Sequence, residues 1–195
     1  MARSGANDIA VEDGAPAAEL GRRPDVRWVF GYGSLMWRPD FPHVARVKAR
    51  LAGYRRSLCV YSVHHRGTPE APGLVFGLDR GGSCQGVAFA VEASAWDDVV
   101  SGLRAREQVT SVYLERQVRV RLDGGATVDA VVYVVDRAHP QYAADLAIED
   151  QARLVARSKG QSGDNVSYVC ETARRLDDLG VRDARLTALV AALER

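Results

Sequence analysis

The run Val29-Phe30-Gly31-Tyr32-Gly33-Ser34-Leu35 decides how this chain is read. Val26 and Trp28 to Phe30 form an apolar stretch with the character of a strand, and it stops in two glycines spaced around one tyrosine. Glycine tolerates φ > 0 and, lacking a Cβ, lets another group approach the backbone. A strand that ends this way presents N–H groups without ladder partners. In a dry site those donors suit an anionic or developing-oxyanion oxygen. The same pattern also serves as a tight turn with no ligand, and glycine spacing alone does not choose between the two. Its neighbours do exclude two other uses. Met36 occupies the second position after Ser34, so Gly-x-Ser-x-Gly is absent, and the stretch has neither the Gly-Lys-Ser/Thr ending of a P-loop nor the third glycine of a dinucleotide site.

Beyond the turn, Trp37, Pro39, Phe41 and Pro42 make a rigid apolar loop, and Val47 to Leu51 alternates like a half-buried strand. Gly53 interrupts it before Tyr54 to Tyr61 resumes. The segment from Arg66 to Gly73 is too rich in Pro and Gly for regular structure. Leu74 to Leu78 and Gly86 to Val91 then read as two strands joined by a turn across Asp79-Arg80-Gly81-Gly82-Ser83. A helix is expected from Ser94, an N-cap with Asp97 three positions on, and it aligns Trp96, Val99, Val100 and Leu103 on one face. Four residues further the same face reaches Glu107. Burial disfavours an ionised carboxylate, so a Glu at the end of an apolar stripe has the makings of a proton acceptor near neutral pH. The competing reading is that the helix stops short of it, or that Arg104 or Arg106 neutralises it.

Val112, Leu114, Val118, Val120 and Leu122 alternate with mostly polar residues, and Asp123-Gly124-Gly125 turns this strand back into Val128 to Val135. Helical segments follow through Leu146, Leu154 and Val155 to Gly160, through Val166 to Gly180, and through Leu186 to Leu193. Strands cluster first and helices last, which is the pattern of an α+β domain. We expect one domain over 25–195, preceded by a disordered extension over 1–24 that lacks the apolar stretch of a signal peptide. The balance of 26 Lys+Arg against 25 Asp+Glu argues against nucleic acid and anionic membrane as partners, and no apolar run approaches the ~20 residues of a membrane span. Cys59, Cys84 and Cys170 are odd in number and widely spaced. They fit neither a disulfide framework nor a zinc site, which points to a reducing cytoplasm. The adjacent His64 and His65 would point to opposite faces of a strand rather than share a metal.

Phe30 to Trp37, His65-Arg66-Gly67-Thr68-Pro69, Leu103 to Glu107, and Gly163-Asp164-Asn165-Val166-Ser167-Tyr168 together resemble, in order, the signature blocks of the ChaC-type γ-glutamylcyclotransferases, over about residues 27–180. The resemblance implies a small mixed β-barrel flanked by helices and an enzyme that converts glutathione to 5-oxoproline and cysteinylglycine without metal or organic cofactor. It implies Glu107 as general base and Val29, Phe30, Gly31, Tyr32, Gly33, Ser34 and Leu35 as the substrate-binding turn. Tyr168 falls where the family has a pocket tyrosine, although plain helix packing accounts for it equally. Arg38, Val169 and Ser111 depart from the family pattern, Ser111 standing where a glycine is frequent. Two neighbouring functions share these features: a cyclotransferase for other γ-glutamyl amino acids or amines, and a non-catalytic binder of γ-glutamyl ligands.

Overall fold

The computed structural model describes residues 17–107 and 110–195. Its centre is a closed barrel in the order β1-β3-β2-β4-β5, built from β1 (Val26–Gly31), β2 (Ala45–Ser62), β3 (Gly73–Glu92), β4 (Tyr113–Leu122) and β5 (Thr127–Val135). All pairings are antiparallel except β1 with β5, where Trp28 and Val29 lie beside Ala130 and Val131 in parallel and close the ring. The mixed barrel expected from the resemblance is therefore present.

Alternation along the strands sorts residues into two shells. Trp28, Phe30 and Tyr32 join Ala45, Val47, Ala49, Leu51, Ala88, Ala90, Val120, Leu122 and Ala130 in one buried cluster, where the many alanines suit a narrow interior. Val29 faces the other way, into a cluster with Leu35, Val91 and the Val99 and Leu103 face of α2 (Trp96–Glu107). On another side α3 (Ile148–Arg157), α4 (Asn165–Asp178) and α5 (Ala184–Leu193) cover Leu58, Leu74, Phe76, Val87 and Phe89.

Three expectations need correction. Asp79 to Ser83 is not a turn, because β3 runs through it as one 20-residue strand. Gly81 and Gly82 take φ of +99° and +70° opposite Gly53 at +83°, where the β2–β3 register slips between Ala52/Ser83 and Tyr54/Arg80. Glycines here bend a long strand pair around the barrel instead of reversing the chain. Asp79, 1% exposed, fixes the bend by pairing with Arg55 and Arg137 and accepting from Tyr142 Oη. Second, α2 starts at Trp96, and Ser94 Oγ turns back to Glu92 instead of capping it. Third, the expected extension over 1–24 lies outside the described residues only up to position 16. Helix α1 (Ala17–Leu20) is a single turn, and Leu20, 1% exposed, joins the barrel cluster with Ala17 packed against it.

Candidate active site

Where β1 ends, the chain tightens into a 3-10 turn over Ser34–Met36. The Gly33 carbonyl accepts from Met36 N at 2.9 Å, and the Ser34 carbonyl accepts from Trp37 N and Arg38 N. The amides of Gly33, Ser34 and Leu35 have no acceptor among the described residues, as the first N–H groups of any helical turn do not. Neither glycine has positive φ. Gly31 is there for packing, since a Cβ would lie 3.0 Å from Leu35 Cβ and 3.3 Å from Phe89. At Gly33 a Cβ meets no atom within 4 Å, leaving open space beside the cavity that Gly33 lines.

That cavity, about 100 Å3, is walled by Phe30, Tyr32, Gly33, Ser34 and Leu35 of the turn, Val75 and Phe76 of β3, Glu107 at the end of α2, Tyr113 of β4, Tyr133 of β5 and Tyr168 of α4. Glu107 and the turn, far apart in sequence, thus face one space. Val29 and Gly31 stand behind the wall: strand alternation turns Val29 toward α2, and Gly31 backs onto Leu35 and Phe89.

Burial raises the proton affinity of Glu107 above that of an ordinary carboxyl group, and the nearby Arg106 only partly opposes this. Arg104 does not pair with it, and Arg106 does so only through one nitrogen at a long distance. Arg104 is committed to Glu115 at 2.7 and 2.8 Å. The Arg106 terminal nitrogens go to Ser34 Oγ, Asp40 Oδ2 and the Arg38 carbonyl, leaving Nε 3.5 Å from Glu107 Oε1. Arg106 therefore ties the turn to the end of α2.

The tyrosines were not legible as a group from the sequence. Tyr113 Oη donates to the Phe76 carbonyl at 2.8 Å, and Phe76 N donates to Tyr168 Oη at 3.3 Å, so one residue of β3 holds both phenols. Tyr168 therefore packs in its helix and lines the cavity at once. Burial pushes its phenol up to about 12 and lifts Tyr32 and Tyr113 well above the ordinary value, which keeps all three protonated at neutral pH. Tyr133 donates to Glu115, whose carboxyl is held below its ordinary range, chiefly by Arg104. A signal for Tyr113 existed: it is aromatic on the strand face that otherwise carries Glu115, Gln117, Arg119 and Arg121.

Two of the sequence blocks serve architecture. Asn165, fully buried on α4, accepts from Leu74 N at 2.6 Å and donates to Leu74 O at 2.8 Å, acting as a ladder partner for the start of β3. Gly67 admits no side chain, because a Cβ would sit 2.1 Å from Gly73 N. Arg66 lies 5.0 Å over the Tyr168 ring and bonds the Ser162 carbonyl, clamping loop to helix. Ser111 adopts φ of +58°, the left-handed conformation that explains a frequent glycine there. Among the described residues no three His, Cys, Asp or Glu side chains are placed to hold a metal, and no helix is long and apolar enough to cross a membrane.

Residues 27–195 match the family model described as ChaC-like protein. The chain is 34% identical over 181 residues to the glutathione-specific gamma-glutamylcyclotransferase of Escherichia coli (strain K12), covering 92% of this chain and 78% of that protein. It is 36% identical over 172 residues to glutathione-specific gamma-glutamylcyclotransferase 1 of Danio rerio, covering 85% and 88%. In fold it resembles the crystal structure of the yeast gamma-glutamyl cyclotransferase specific to glutathione, with a TM-score of 0.78 at 22% identity over 87% of this chain and 96% of that one.

Proposed function

This chain belongs to the ChaC-like family, and on that premise we propose that it cleaves the γ-glutamyl bond of glutathione, releasing 5-oxoproline and cysteinylglycine. The observation that carries the reading is the shared cavity: a buried carboxylate with raised proton affinity faces a turn whose Gly33, Ser34 and Leu35 amides have no acceptor among the described residues.

The γ-glutamyl α-ammonium must lose a proton before its nitrogen attacks the γ-carbonyl carbon of the same molecule. Glu107 takes that proton. As the five-membered ring closes, the carbonyl oxygen gains negative charge, which the turn amides stabilise without reorganising. The carbon–nitrogen bond to cysteine then breaks as Glu107 gives its proton to the departing nitrogen, and the carboxylate so regenerated relays the second proton, which the ring nitrogen sheds on becoming a lactam, to the freed amine, which leaves as its ammonium form. Nucleophile and electrophile belong to one molecule, so the enzyme's main task is to hold a folded-back conformer. The cavity is well below the ~300–1,000 Å3 typical of sites for drug-sized ligands, a size suited to the γ-glutamyl half with cysteinylglycine leaving outward. Tyr168 Oη already accepts from Phe76 N, so its own proton is available to the substrate. The other carboxylates are poorer bases: Glu115 is bound to Arg104, and the Glu70 carboxyl is held below its ordinary range, chiefly by a backbone hydrogen bond. We assign the protein to the cytoplasm, a reading supported by three free cysteines.

The test is release of 5-oxoproline from glutathione, glutathione disulfide and γ-glutamylalanine, each with and without EDTA. Glutathione is expected to be preferred and EDTA to be without effect. Equal turnover of γ-glutamylalanine moves the assignment to a broader cyclotransferase, and no 5-oxoproline from any substrate makes the chain a binder.

A further inference from the structure

Arg56 of β2 does not line the cavity, and its side chain is only 3% exposed. Its guanidinium nonetheless reaches the decisive turn. Nε donates to the Tyr32 carbonyl at 2.5 Å, Nη2 to the Gln85 carbonyl at 2.6 Å, and Nη1 to Asp183 Oδ2 at 3.0 Å. Asp183 is itself fixed, because its other oxygen accepts from Leu186 N as the N-cap of α5.

We propose that Arg56 is a positioning residue, clamped by Asp183, that holds the Tyr32 carbonyl and thereby aims the Gly33 N–H into the cavity. The inference rests on the cyclotransferase reading given above. Its core is peptide geometry. In a planar trans peptide the C=O of one residue and the N–H of the next point in opposite directions, so a carbonyl held toward Arg56 sends the Gly33 N–H to the other side. Tyr32 and Gly33 both line the cavity, and the Gly33 amide has no acceptor among the described residues. The β1 ladder ends at Gly31, so it does not fix the Tyr32–Gly33 peptide.

A simple need to satisfy buried carbonyls does not account for the choice of residue. A buried ion pair is often no more stabilising than apolar side chains of similar volume. What the guanidinium adds is a rigid fork that engages three acceptors in fixed directions, which the point charge of lysine does not reproduce. The turn is consequently held from two sides, by Arg56 at the Tyr32 carbonyl and by Arg106 at Ser34 Oγ.

The test is steady-state kinetics of glutathione turnover on Arg56→Lys and Asp183→Asn, normalised to folded protein, with the pH dependence of kcat. Loss of a whole oxyanion donor costs about 10²- to 10³-fold in kcat, so a misaimed one should cost about 10- to 100-fold in Arg56→Lys, with KM within about threefold and the acid limb of the pH profile unmoved. Asp183→Asn keeps a helix cap and loosens only the clamp, so a smaller fall in kcat, about 3- to 10-fold, is expected; this variant carries the test if Arg56→Lys does not fold. Leu122→Ala, a barrel substitution outside the cavity lining, is the stability control and should lower Tm without changing kcat per folded molecule. Unchanged kcat in the variants, with a fall in Tm alone, overturns the proposal. So does a displaced acid limb, which would mean that Arg56 acts through the charge on Glu107. A wild-type protein that releases no 5-oxoproline refutes the cyclotransferase reading itself, and this inference with it, before any variant is compared.

Discussion

Glu107→Gln separates chemistry from architecture most sharply. The amide keeps the size and hydrogen-bonding reach of the carboxylate but cannot take up the ammonium proton. Removing a positioned general base costs about 10²- to 10⁴-fold, equivalent to about 2.7–5.5 kcal/mol of transition-state stabilisation. Stability should move the other way. Burial disfavours the Glu107 charge, and its place in the last turn of α2 sets it against the negative end of the helix dipole. The compensating Arg106 is about a third exposed and spends its terminal nitrogens elsewhere, so its pairing recovers little.

The sign can be worked through. A carboxyl group with raised pKa binds its proton more tightly in the folded state than in the unfolded one. The fold is therefore least burdened below the ordinary value of 4.5 and loses stability as pH rises through the window between that value and the folded one. Gln mimics the protonated form throughout. The Tm of Glu107→Gln minus that of wild type should be near zero at pH 4 and positive at pH 7.5. The assay is 5-oxoproline release and thermal unfolding on the same preparations. A lowered Tm at pH 7.5 with nearly wild-type turnover would falsify the assignment and make Glu107 a structural partner of Arg106.

The chain's N-terminal part gives a graded truncation. Deleting residues 1–16 should shift Tm by no more than about 1–2 °C, whereas deleting 1–22 removes Leu20, whose burial is worth about 1.5–3 kcal/mol. At about 2–4 °C per kcal/mol for a chain of this size, Tm should fall by about 3–12 °C. Equal melting of both truncations would show that Leu20 packs without consequence. Asn165→Ala orphans the N–H and the C=O of Leu74. At about 1–3 kcal/mol per buried unpaired group, urea unfolding should show a loss of about 2–6 kcal/mol. A loss below about 1 kcal/mol would mean that the start of β3 finds other partners.

How much of this was legible follows from the range of each interaction. Helix faces and the β4–β5 hairpin depend on neighbours a few positions away, and periodicity reports those directly: α4 and α5 appear where their apolar spacing puts them, whereas α3 covers only Ile148–Arg157 of the helix expected from Leu146 to Gly160, because Lys159–Gly160 pairs with Gly163–Asp164 as a short strand. The path of β2 and β3 was not legible, because Gly53, Gly81 and Gly82 mean a turn or a bulge according to what lies opposite, and that is set by the barrel's closure. The same limit applies to the site. Glu107 could be singled out because it interrupts a local rule, a charge ending an apolar stripe. At the glycine turn the donors on which the proposed oxyanion role rests come from a 3-10 turn that begins as the β1 ladder ends, and not from positive φ. Arg56 breaks no local rule, Tyr113 is marked only as an aromatic on a polar strand face, and Tyr168 only by the family block that it closes. Each takes its meaning from a contact across the fold, Phe76 for the two tyrosines and the Tyr32 carbonyl for the arginine. A carboxylate that ends an apolar stripe announces itself in sequence, whereas a group that fixes a turn or a cavity wall takes its meaning only once the chain has closed around it.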